Sequence, residues 1–244
     1  MISIIGYDLR NYSVYLISIL TAIIVYQSFG KPLIFDRVVI GVYFVAAVMS
    51  YRIDKNIFSI VCILILMRLI EEMLWVSDYK AAWMREFIIL SIMFLCVATI
   101  KHMVSKLVLA FALLIQGVYI YWIYIGYTAG DVVGWYVIML LQSFLTIQLI
   151  RIRVYLWRRY VSRNQEVKKN RTDKNFILVG YAYIALATIV IFEQFAIHVL
   201  GDPTLITFKS SMAYRYVSQM LAGFVLWLLF NELWRLVRQT RLFA

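Results

Sequence analysis

Residues 67–75 read MRLIEEMLW, which sets Arg68, Glu71 and Glu72 inside an otherwise apolar run. Glu71 follows Arg68 by three residues and Glu72 by four, so on a helix both carboxylates reach the guanidinium from one face. One arginine does not neutralise two carboxylates. Burial then favours protonating one of them, unless a second cation such as Arg37 or Arg85 joins the group. Ionisable groups within a membrane are costly and point by default to ion or proton handling. A self-paired cluster near the interface would instead tie helices together.

A second candidate lies in FEQFAIH, residues 192–198. No basic residue sits at helical spacing from Glu193. Gln194 and His198 are four apart and share a face, whereas Glu193 and His198, five apart, do not. This is not the Glu-x-x-His arrangement of paired di-metal helices. At 1.5 Å per residue from the inner edges of their spans, Arg68 lies about 18 Å deep, Glu71 and Glu72 about 23 Å, and Glu193 about 25 Å. The expected ion or proton site is therefore Arg68, Glu71, Glu72, Glu193 and His198. Glu193 is read either as a protonatable group or cation ligand, or as the partner that completes the charge of Arg68. Arg215 and Gln219 share a face and are expected in the same outer-half cluster, while Glu232 and Arg235 read as a local ion pair.

The third feature is RIRVYLWRRYVSRNQEVKKNRTDK, residues 151–174. It holds nine Lys or Arg against two acids, a net +7 of the chain's formal +11. Ile150, Val154, Trp157 and Val161 recur at helical spacing with arginines between them. That pattern suits a helix that leaves the membrane and lies on anionic headgroups, each basic residue contributing about 1 kcal/mol. The expected lipid- or partner-docking residues are Arg151, Arg153, Arg158, Arg159, Arg163, Lys168 and Lys169. The plainer reading is a positive-inside signal alone. A single short basic loop with no recognition module does not suggest nucleic acid.

The elements that must position these groups follow from composition. Hydrophobic residues make up 64% of the 244 and charged residues 15%, against about 45–50% and 25% in soluble domains. A chain this apolar needs lipid as solvent. Its runs are continuous and too long for alternating barrel strands, and a hydrocarbon core of about 30 Å takes about 20 residues per helix. The sequence predicts an all-α polytopic helical bundle, a single integral membrane domain over 1–244 with a basic cytoplasmic loop at 151–175. Eight spans are placed near 11–29, 34–51, 56–76, 84–100, 105–126, 132–151, 176–200 and 212–236. The fourth is short and the fifth and sixth share one apolar stretch, so the count ranges from six to eight.

Lys and Arg in short loops stay cytoplasmic, which puts the 151–175 loop and both termini inside. The acceptor-like triplets Asn11-Tyr12-Ser13 and Asn170-Arg171-Thr172 then fall on the inner side, where modification is not expected. The expected location is a bacterial inner (cytoplasmic) membrane.

Other chemistry is thinly represented. Cys62 and Cys96 lie in apolar runs and give neither a disulfide framework nor metal spacing. The sequence has no His-Glu-x-x-His, no phosphate-binding glycine loop and no nucleophile elbow. No metal or cofactor is expected. Pro32 and Pro203, the two prolines, fall in expected outer loops, so the broken helices common in secondary transporters are not signalled. Gly126, Gly130 and Gly134 read as a turn rather than a packing stripe. The leading expectation is a membrane assembly or pore-type subunit that oligomerises or docks a protein partner. The alternative is an ion- or proton-coupled transporter or channel using the outer carboxylates.

Overall fold

The computed structural model describes residues 2–78, 90, 91, 93, 94, 97, 103–126, 130–161, 167–200 and 210–242. Its described elements are α-helices: α1 (Ile2–Ser28), α2 (Pro32–Ile53), α3 (Lys55–Asp78), α4 (Met103–Tyr124), α5 (Gly130–Tyr160), α6 (Arg171–Leu200) and α7 (Ser210–Leu242). Among the described residues, four segments are long and apolar enough to cross a membrane: Leu33–Tyr51, Trp135–Tyr160, Arg171–Glu193 and Ala213–Arg238. The chain is thus an all-helical membrane protein. The expected fourth span, 84–100, lies largely outside the described residues.

The short connections follow local chemistry. After α1, Gly30 takes φ +83°, a left-handed conformation that costs glycine little, and Pro32 opens α2 where no helical N–H is needed. A single residue, Asp54, separates α2 from α3. Its extended backbone donates N–H to the Ser50 carbonyl at 2.8 Å, closing α2. Its carboxylate then accepts the Asn56 N–H, capping α3. Gly126, at φ +73°, lies in the turn that ends α4, whereas Gly130 opens α5 and Gly134 lies within it, so of the glycine series Gly126 takes the turn conformation.

Helices α5, α6 and α7 run 31, 30 and 33 residues, about ten more than a 30 Å core requires. The excess carries the basic sequence. Residues 151–160 are the last turns of α5 itself rather than a separate surface helix.

The chain divides into two compact units. Unit 1 comprises Met1–Leu69, Ile152–Asn175 and Ser218–Ala244; unit 2 comprises Ile70–Arg151 and Phe176–Val217. In unit 1, α2 buries Phe35, Val39, Tyr43 and Ala46, and α7 buries Ala222, Leu229, Leu233 and Val237. These spacings of three, four and seven put one stripe of each helix inward. The outward face of α2 is apolar too, with Phe44, Val45 and Val48 exposed. That is the arrangement of a helix solvated by lipid. Lipid tails are as apolar as leucine, so such helices associate by close packing and hydrogen bonding rather than by the hydrophobic effect. In unit 2, Val137–Leu141, Leu145, Ile147, Leu149 and Ile150 of α5 are buried around most of its circumference. Gly180 of α6 faces Ile147 so closely that a Cβ there would lie 2.7 Å from its Cγ1.

Candidate functional site

Arg153 sits about two turns before the end of α5, and its side chain is 1% exposed. Ile150 and Trp157, three before and four after, share its face, so the helix carries it inward. A guanidinium has five N–H donors and no acceptor, and a buried one needs all three nitrogens satisfied. Here Nε donates to Asp173 Oδ1 at 3.2 Å, and Nη2 donates to Oδ1 and Oδ2 of the same carboxylate at 2.8 and 3.0 Å. Nη2 also reaches the Lys168 carbonyl at 2.8 Å. Nη1 donates to Ser59 Oγ at 2.9 Å and the Asn56 carbonyl at 3.4 Å. One side chain therefore ties the start of α3, the end of α5, the segment before α6 and α6 itself.

The start of α6 is built to receive it. Asn170 caps the helix, and Asp173, three residues on, reaches back to accept the Asn170 N–H at 3.2 Å, as in a capping box. Asn170 Nδ2 donates to Glu232 Oε1 at 3.3 Å, and Arg235 Nη2 donates to the same oxygen at 2.5 Å. The Lys168 N–H donates to Asn56 Oδ1 at 2.7 Å. The clasp thus runs continuously from α3 through α5 and α6 to α7 within unit 1.

Arg153 accordingly differs from its sequence assignment: it is buried structure, not an exposed docking residue. Arg158, Arg159, Lys168 and Lys169 are exposed as expected. Arg151, in unit 2, donates Nη2 to Tyr181 Oη at 2.7 Å, and Arg163 lies outside the described residues. The expected apolar stripe also shifts. Ile150 is buried, whereas Val161, one residue past the end of α5, is exposed. The expected Glu232–Arg235 pair is present.

The residues of the opening cluster are divided between the two units. In unit 1, Arg68 Nη1 meets Asp36 Oδ1 of α2 at 3.5 Å, with both side chains mostly buried. Asp36, inside the expected span 34–51, was not among the residues singled out from the sequence. In unit 2, Glu71 and Glu72 are half-buried and both are engaged. Glu193, also in unit 2, acts on Tyr136 together with Arg215 through charge, and the Tyr136 ring meets Tyr214 edge-on at 5.0 Å. Its identified neighbours are therefore on α5 and α7. The His198 side chain lies outside the described residues. Gln219 is 4% exposed and accepts the Gly30 N–H at 2.9 Å, so it caps the α1–α2 turn in unit 1.

No protein family, curated protein or solved structure matches this chain. Among the described residues, no three His, Cys, Asp or Glu side chains are grouped to hold a metal ion.

Proposed function

We propose that this chain is an integral membrane subunit that acts by assembling with copies of itself or by docking a partner on its basic side. The observation that carries this reading is the use made of the embedded charges. Arg68 is bound to Asp36 across two helices, and Arg153 spends all three nitrogens on a clasp. Groups fixed to one another tie helices; groups that pass ions must release and rebind them. Eight spans, cytoplasmic termini and a bacterial inner membrane complete the proposal.

A second reading, an ion- or proton-coupled transporter or channel, draws on the company of Glu193. A carboxyl, a tyrosine and an arginine on three helices of unit 2 interact electrostatically there. The two readings separate in liposomes. Ion and proton flux is measured for the purified wild type and for Glu193→Gln, with oligomeric state followed in parallel. The subunit reading expects no flux from either protein, with a defined oligomer or a captured partner. Flux in the wild type that disappears in a folded Glu193→Gln would reject it and place a transport site at Glu193.

A further inference from the structure

The exposed cations of unit 1 are not a loose tail. The clasp turns the polar backbone of the 167–170 segment inward. Lys168 gives its N–H to Asn56 and its carbonyl to Arg153, and Val167 is fully buried. The side chains of Lys168, Lys169 and Arg171 are left exposed. Arg158 and Arg159 follow Arg153 by five and six residues. Arg238 follows Glu232 by six, about 9 Å along α7. All of them flank the clasp.

Among the described residues, the carboxylates of this region are engaged from within. Asp173 is buried on Arg153, Glu232 is buried on Asn170 and Arg235, and Asp54 caps α3. Among the described residues here, the charged side chains that face outward are basic. Several cations are also seated on aromatic rings. Lys55 Nζ lies 3.2 Å from the Tyr51 ring centre, Arg159 Cζ 5.5 Å from that of Tyr160, and Arg238 Cζ 4.8 Å from that of Trp234. Arg159 is further held by a 2.6 Å hydrogen bond to Tyr155 Oη. Tyrosine and tryptophan concentrate at the headgroup level of membranes, and a cation over a ring is attracted to its face. Cations over rings, at the ends of helices that overshoot a bilayer core, stand where lipid phosphates lie.

We propose that unit 1 carries a preorganised surface for anionic phospholipid headgroups, formed by Arg158, Arg159, Lys168, Lys169, Arg171 and Arg238 around the Arg153–Asp173 clasp. This rests on the docking reading and names the partner: phosphate-bearing lipid rather than an acidic protein. Arginine forks suit phosphate oxygens, and ring seating lowers the cost of ordering them.

The test uses the full chain in an uncharged detergent. The rise in Tm is followed as phosphatidylglycerol, phosphatidylcholine or a polyglutamate peptide is added. Phosphatidylglycerol is expected to stabilise selectively, with an effect that weakens as salt is raised. In the variant Arg158→Gln/Arg159→Gln/Lys169→Gln, the half-maximal concentration should increase on the order of a hundredfold, from about 1 kcal/mol per cation. The salt dependence of the wild type tests the same surface without any substitution. Equal responses to the two lipids, or an unchanged midpoint in the folded variant, would overturn the proposal. A polyglutamate response matching that of phosphatidylglycerol would overturn it too, by pointing to an acidic protein. The flux assay bears on the docking reading alone, so the two failures are distinguishable.

Discussion

A guanidinium taken out of water loses its hydration, and Arg153 is tolerated only because each nitrogen meets an acceptor. Such a pair contributes little net stability over an apolar substitute, but removing one partner strands a charge at a cost of about 3–5 kcal/mol. Arg153→Met and Asp173→Asn should therefore each lower Tm sharply in detergent. Combining Arg153→Met with Asp173→Leu should recover a large part of the loss. Thermal unfolding of the three variants checks this, and simple additivity would count against the clasp. The burial of Arg153 was hidden in the sequence because nine basic residues in one segment look alike. One signal was present: Arg153 lies on the Ile150–Trp157 face, and an Asn-x-x-Asp capping pair waits twenty residues further on. Asp36 was hidden for a related reason. Nothing in the local pattern around Asp36 marks a partner 32 residues away, until α2 turns it toward Arg68.

At the scale of helices, close approach is decided by single atoms. A methyl group at Gly180 would meet Ile147 at 2.7 Å, whereas one at Gly223 would meet nothing within 4 Å. Overpacking typically costs about 1–3 kcal/mol, while alanine is the better helix former. Gly180→Ala should thus lower Tm, and Gly223→Ala should leave it unchanged or raise it slightly. Equal effects would argue against the tight α5–α6 contact in unit 2. Helix existence was legible from apolar runs, and the α2–α3 break was bracketed by expected spans ending at 51 and starting at 56. The lengths of α5, α6 and α7 were not, since hydropathy stops at the first arginines while backbone hydrogen bonding continues through them.

For the whole molecule, the concentration of Lys and Arg between α5 and α6 sets the expected orientation. Reporters that work only in the cytoplasm should be active when fused at either terminus, and export-dependent reporters silent. An active export-dependent fusion at one end would change the span count by an odd number. The flux measurement belongs to this scale as well, because conduction is a property of the assembled bundle and not of Glu193 alone.

The sequence by itself determined the solvent, the helical class and the position of the basic segment. These depend on composition and run length, which are local and additive. Only the tertiary structure decided which charges are spent on one another. Arg68 with Asp36 joins residues 32 apart in the chain, Arg153 with Ser59 joins residues 94 apart, and Gln219 with Gly30 joins residues 189 apart. Lipid exerts no patterning force between apolar faces, so periodicity carries no record of which helix packs on which. The pairings rest on short-range geometry that appears only once the helices are side by side.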